Sequence, residues 1–196
     1  MAGGVGAEGS GADGAGPDDG AGSDVPVPSR PALTEAPELV TASVRVEGFP
    51  GAHLPILFDG VFSRLFPALG QAGVEPVGAA YSLYSRVPAD TVDLEVGIPV
   101  DRVLDGEVDL GRIETPDGGA FALVARASAK PGGRIATAAH LGGYDRLGEA
   151  WQTFIGALEA QGERVAMPFW EVYTTEPTPD MDPATLRTDL FTVLEG

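Results

Sequence analysis

Residues 61–84, VFSRLFPALGQAGVEPVGAAYSLY, and residues 150–173, AWQTFIGALEAQGERVAMPFWEVY, align without a gap at a constant offset of 89. A repeat of this length organises everything around it. Ala68, Leu69, Gly73 and Tyr84 recur as Ala157, Leu158, Gly162 and Tyr173. The apolar class recurs as well. Val61, Phe62, Leu65, Phe66 and Leu69 fall on Ala150, Trp151, Phe154, Ile155 and Leu158, and steps of three and four mark the buried stripe of a helix. Each helix is expected to stop at its glycine, Gly73 or Gly162, because the residue after the last turn takes a left-handed conformation at no steric cost there. Pro67 conflicts with this pattern and predicts a kink or looser hydrogen bonding in the first helix.

Each helix is followed by a short aromatic strand, residues 80–85 and 169–174, and then by a strand of alternating or apolar character, residues 92–100 and 186–194. Another β-rich segment precedes each helix, at residues 38–47 and 134–140. Residues 120–127 read as a further strand and residues 101–119 as a loop-rich connection between the halves. The expected fold class is α+β: two strand-helix-strand-strand modules related by a pseudo-twofold axis, forming an antiparallel sheet with both helices on one side and a central ligand cleft.

Ahead of the repeat, residues 1–23 hold nine Gly and no aromatic, Leu or Ile, so they cannot bury enough apolar surface to offset chain ordering. Pro26, Pro28, Pro31 and Pro37 then favour an extended lead-in. Residues 1–37 are therefore expected to form a disordered acidic tail and residues 38–196 the domain. The run Gly4-Val5-Gly6-Ala7-Glu8-Gly9 has the spacing of a dinucleotide fingerprint but lacks the flanking strand and helix, and is read as chance in a Gly-rich segment.

The 196 residues carry 29 acidic and 12 basic side chains, a formal net charge of −17, and no Cys. Disulfides and thiolate metal sites are excluded. The charge argues against direct nucleic-acid binding and against an anionic membrane surface, and favours cationic partners. No apolar run approaches the ~20 residues of a spanning helix, and the first residues lack the basic start and apolar stretch of a secretory signal; a cytoplasmic location is expected. Lys130 is the single lysine.

Strand alternation selects candidate site residues. Glu171 and Tyr173 share a face with Phe169, whereas Trp170 and Val172 take the other. In the first copy Ser82 and Tyr84 stand at the positions equivalent to Glu171 and Tyr173, so a carboxylate replaces a hydroxyl in the second. Trp151 and Phe154 are assigned to the core by the helical stripe. A bulge could bring Trp170 to the rim of the cleft. Tyr144, ahead of the second helix, fits local packing and cleft lining equally well. His53 and His140 have no Cys or close carboxylate at ligand spacing and are read as surface or hydrogen-bonded structural residues. No metal or cofactor is implied, nothing singles out a haem ligand, and no serine lies in a triad pattern.

The ordered combination of Gly143-Tyr144-Asp145-Arg146-Leu147, an amphipathic helix, Gly162, Trp170-Glu171-Val172-Tyr173 and Leu186-Arg187-Thr188-Asp189-Leu190 resembles the GyrI-like small-molecule-binding family. Asp93-Leu94-Glu95-Val96-Gly97-Ile98-Pro99-Val100 in the first half fits too, and the resemblance covers roughly residues 38–194. It implies a concave pocket between two modules, in a family of multidrug-responsive effector domains, a gyrase-inhibiting protein and hydrolases of cyclopropane-bearing antibiotics. By the resemblance Glu171 matches the pocket acid, and Tyr84, Tyr144 and Tyr173 stand where aromatic lining is expected. The DNA-binding region of the family's regulators has no counterpart in residues 1–37, so a self-contained transcription factor is not expected.

Three functions follow as expectations. The first is binding of cationic or polar aromatic xenobiotics at Glu171, Tyr84, Tyr144, Tyr173, Phe169, Ser82 and Trp170, for sequestration or sensing. The second is hydrolysis of strained, cyclopropane-containing compounds, with Glu171 as general base and Tyr84 or Tyr173 as the electrophilic partner. The third is an acidic protein-interaction module with a DNA topoisomerase as partner, for which Asp101, Asp105, Glu107, Asp109 and Glu114 form a candidate cluster that a solvated loop also explains.

Overall fold

The structure, a computed structural model, describes residues 30–175, 178 and 180–196. Of the tail expected at residues 1–37, residues 1–29 lie outside the described residues. Nine strands and two helices follow in the order β1 (Ala32–Ala36), β2 (Leu39–Pro50), α1 (Leu54–Ala72), β3 (Tyr81–Tyr84), β4 (Thr91–Pro99), β5 (Glu107–Glu114), β6 (Ala120–Lys130), β7 (Gly133–Leu141), α2 (Leu147–Glu159), β8 (Val165–Tyr173) and β9 (Arg187–Leu194). Every pairing is antiparallel, in the spatial order β1-β7-β9-β8-β3-β4-β2-β6-β5.

The helices obey the repeat. α1 buries Leu57, Val61, Leu65 and Leu69, and α2 buries Ala150, Phe154 and Leu158, so three of the four α1 positions recur at the offset of 89. Both helices close identically: the amide of Val74 donates to the Leu69 carbonyl and that of Glu163 to the Leu158 carbonyl, each at 3.0 Å. Gly73 and Gly162, at φ of 66° and 81°, make those turns possible. Pro67 does not end α1. It lies on the exposed face, where the Ser63 carbonyl that loses an amide partner meets water.

Two expectations need correction. Residues 32–36 belong to the sheet rather than to a tail, because β1 finds ladder partners on β7 about a hundred residues away. Residues 107–114, expected in a loop, form edge strand β5 against β6. Its charged residues suit an edge, since they discourage pairing with another chain. Glu107 pairs with Arg126 and Glu114 with Arg112, Asp101 ahead of the strand pairs with Arg102, and Asp109 accepts from the Gly111 amide.

The sheet closes on itself. Ala36 lies opposite Gly133 and Leu39 opposite Lys130, one continuous register across both pairs. Thus β1–β2 and β6–β7 are two long strands, interrupted at Pro37–Glu38 and Pro131–Gly132, that carry the ladder from one end of the sheet to the other. At the crossing the backbones nearly touch: a Cβ on Gly132 would meet backbone atoms of Ala36, Pro37 and Glu38 at 2.5–2.7 Å. Only glycine fits there.

Closure creates two sides. On the helix side α1 covers the larger core, which includes Phe49, Leu57, Leu65, Leu94 and Leu123, and α2 covers a smaller one of Ala136, Ala138, Phe154, Leu158 and Leu190. On the other side Tyr81, Leu83, Ile135 and Trp170 form a third buried cluster. The halves meet where β3 pairs with β8, and there Ser82 lies directly opposite Glu171. These are repeat equivalents, so the pseudo-twofold axis passes between them.

Candidate functional site

Glu171 thus stands at the point of highest internal symmetry, on the helix side, where a serine occupies the related position. Its residue is only 5% exposed. Oε1 accepts from Trp151 Nε1 at 2.8 Å and Oε2 accepts from the Tyr173 hydroxyl at 2.9 Å. Tyr173 also lies 2.7 Å from Ser82 Oγ. With its one proton committed to Glu171, the phenol oxygen can only accept from Ser82, which fixes a relay Ser82 to Tyr173 to Glu171 while the acid is ionised.

Aromatic rings wall the carboxylate. Tyr84 stacks on Phe169 with centroids 5.0 Å apart, and Phe169 meets Trp151 edge-on at 4.7 Å. Tyr173 is met edge-on by Phe58 of α1 at 5.7 Å and by Tyr144 at 5.8 Å. Tyr144 is the exposed member of the group. It sits in the short turn Tyr144–Arg146 that replaces, in the second half, the first turn of α1.

Burial dominates the electrostatics. It raises the Glu171 carboxyl above the ordinary range, against the hydrogen bonds from Trp151 and Tyr173, which pull it down. Burial also raises the Tyr173 and Tyr84 phenols, with the Glu171 charge adding to the effect, so both stay protonated donors at neutral pH.

A second polar feature continues the row. Tyr173 pairs across the ladder with Thr188, and Thr188 with His140. Both are buried. The His140 Nε2 lies 3.2 Å from the Gly143 carbonyl, so that nitrogen carries the proton and Nδ1 is left as an acceptor. Among the described residues neither His140 Nδ1 nor Thr188 Oγ1 has a hydrogen-bond partner.

The structure therefore brings together Glu171, Tyr173, Ser82, Tyr84, Phe169 and Tyr144. It does not include Trp170. The register shift in β8 falls between Ala166 and Phe169, so alternation beyond it is regular and points Trp170 to the opposite side, stacked on Phe191 at 5.4 Å. Trp151, assigned to the core, packs on the second apolar cluster and is in addition the donor to Glu171 Oε1, and His140, read as surface or hydrogen-bonded structural, joins the row beside Tyr173. A signal for His140 existed in the repeat: by ladder register His140 and Thr188 stand where the first half has Val46 and Leu94, an apolar cross-strand pair. Polar replacements at symmetric positions mark the site.

Comparison with known proteins agrees on architecture. The C-terminal domain of EcmrR superposes with a TM-score of 0.64 at 18% identity, covering 84% of this chain and 96% of that domain. This chain shares the fold of that domain. EcmrR bound to DNA matches at a TM-score of 0.60 and 20% identity over 84% of this chain but only 57% of its own, so the likeness is confined to part of that protein. A hydrolase from Listeria innocua matches at a TM-score of 0.56 and 14% identity, over 85% of this chain and 92% of its own. No protein-family model and no curated protein sequence matches the chain.

Proposed function

We propose that the GyrI-like domain binds planar organic cations at Glu171, for sensing or sequestration. The observation that carries this reading is a buried carboxylate, raised in pKa by desolvation and enclosed by Trp151, Phe169, Tyr84, Tyr173 and Tyr144. A cation placed there restores the charge compensation that burial removed, and its flat body stacks on the rings. Tyr144, exposed at the outer end, is the ring that must move first to admit it. The unpaired acceptor of His140 and hydroxyl of Thr188 offer hydrogen bonds to a polar substituent. EcmrR, which shares the fold, is a DNA-bound protein with a separate C-terminal domain of this shape.

Berberine, a planar aromatic cation, is the test ligand. Calorimetry is expected to show affinity that weakens about tenfold or more in Glu171→Gln, the value of a desolvated charge-assisted contact. Unchanged affinity in that variant sinks the charge-pairing account. Because a bound cation lowers the carboxyl pKa toward normal, binding releases a proton, and affinity is expected to rise with pH up to the raised value of the free protein.

The relay Ser82 to Tyr173 to Glu171 favours a second reading, a hydrolase for strained, activated rings. Glu171 removes a proton from water as it attacks the ring carbon. The Tyr84 hydroxyl, whose proton is not held by Glu171, donates a hydrogen bond to the carbonyl oxygen that gains charge as the ring bond breaks, and the proton on Glu171 then passes to the carbon released. Mass analysis of a cyclopropane-bearing antibiotic after incubation is expected to show a ring-opened product heavier by one water with the native protein and none above background with Glu171→Gln.

A further inference from the structure

On the side of the sheet away from Glu171 lies a cavity of about 430 Å³. It opens between the start of β2, the segment before β3, the end of β4 and the end of β6, at the mouth of the space enclosed by sheet closure. Val172 lines it, and strand alternation turns Val172 away from Glu171, so the two sites are separated by the thickness of the sheet. Three of the exposed large hydrophobic residues, Leu39, Val40 and Val77, gather on this rim, with Val77 62% exposed. Clustered apolar exposure of this kind is a property of binding surfaces rather than of ordinary solvent faces.

The chain's only lysine, Lys130, reaches the same cavity. It is half-buried, its Nζ lies 5.8 Å from the centre of the Phe191 ring, and among the described residues no carboxylate forms an ion pair with it. That is unexpected in a domain where acids outnumber bases about two to one. The two acids on the rim do not fill the role: Asp101 is held by Arg102 and by the Glu75 amide, and Glu38 is exposed. Burial alone lowers the Lys130 pKa, with no carboxylate contributing. A desolvated ammonium beside an apolar hollow lacks a counter-ion that the fold does not supply.

We infer that this cavity binds an amphiphilic anion, an alkyl or aryl carboxylate or sulfonate whose head pairs with Lys130 and whose body covers Leu39, Val40, Val77 and Val172. The volume lies in the range of small-molecule sites. The site is independent of the cation site, because its charge is opposite and its walls come from the other side of the sheet.

Anilinonaphthalene sulfonate is the probe, read by its fluorescence rise on full-length protein. Binding is expected to saturate at a single site and to be reversed by decanoate. Lys130→Met is expected to weaken it about tenfold, and Lys130→Arg to keep it within about threefold. Val77→Glu, on the exposed rim, places an acid that competes for the ammonium and is expected to weaken the dye similarly; it serves if Lys130→Met fails to fold. Unchanged affinity in both Lys130→Met and Val77→Glu, or a signal that saturating decanoate does not reduce, overturns the assignment.

Discussion

The two halves share one plan and differ in what they place under the helix. In the first, α1 has 19 residues and packs on Val46, Leu94 and Val96 among a large apolar cluster, with Ser82 the hydroxyl on the axis. In the second, α2 has 13 residues, the positions related to Val46, Leu94 and Ser82 carry His140, Thr188 and Glu171 while that of Val96 keeps an apolar Leu190, and the apolar cluster is smaller. The difference teaches how a duplicated fold acquires a site without losing its framework. One copy keeps the burial that holds the sheet together, and the other carries buried polar groups whose desolvation costs stability. The helix stripe and its glycine closure, which fold either half, are left alike.

The largest expected effect comes from making the second half resemble the first. His140→Val combined with Thr188→Leu replaces two unsatisfied buried polar atoms by the apolar pair found at Val46 and Leu94. Relieving such groups is worth about 1–3 kcal/mol each before the loss of the His140 contact with Gly143 is deducted. A net gain of about 2 kcal/mol is expected, read as a Tm rise of about 4–8 °C in a domain this size. Berberine binding is expected to weaken in the same variant. A lower Tm with intact binding would mean that the polar row is structural and that the asymmetry has nothing to do with ligand.

Glu171→Gln tests the axis itself and gives a smaller, pH-dependent effect. Below the ordinary carboxyl pKa the acid is protonated in folded and unfolded chains alike, so the native protein carries no charge penalty. As pH rises through the raised folded value, the unfolded chain ionises first and stability falls. Glutamine removes that dependence. The variant is expected to match the native protein at acidic pH and to exceed its Tm by a few degrees at neutral pH, the response to roughly 1 kcal/mol. Equal Tm curves across the whole range would show that Glu171 ionises freely, against the burial seen here. The same substitution is the one that weakens cation binding, so gain of stability and loss of function are expected together.

How far the amino-acid sequence discloses this molecule follows from which contacts are local. The repeat locates both helices and their glycine closures because a 3.6-residue stripe and a left-handed cap are recorded within a few turns of chain. Alternation in residues 169–173 places Glu171 and Tyr173 on one face and Trp170 on the other for the same reason; Trp170 could reach the site only through a bulge beside it, and the register shift of β8 lies earlier, between Ala166 and Phe169. β1 escapes notice because Ala32–Ala36 lacks an alternating apolar face and is a strand by virtue of its distant partner β7, and β5 because the alternation of Val108 and Leu110 is broken by a register shift before Ile113. Trp151 escapes because a helical stripe is wide: one residue beyond Ala150 it turns far enough to reach the sheet centre from the edge of the apolar face. The His140–Thr188 row requires the ladder register, which offsets the flanking strands by 94 residues rather than 89.

Trp151→Phe gives the smallest and most discriminating change, since the first half already has Phe62 at this position. The ring volume is largely kept while the indole donor to Glu171 Oε1 is lost. That hydrogen bond lowers the Glu171 pKa against burial, so its removal is expected to raise the pKa further. Where Glu171 is protonated in both proteins, Tm is expected to agree to within about 0.5 kcal/mol of stability. Above the raised pKa the variant is expected to be less stable by about 1 kcal/mol, because an ionised, buried carboxylate has lost one of its donors. The fall in stability therefore begins at the same pH in both proteins and continues to a higher pH in the variant. A uniform loss at every pH would assign Trp151 to packing alone, as its stripe position implies. A loss confined to the ionised acid assigns the indole to the carboxylate, and makes Trp151 the point at which the second helix departs from the first.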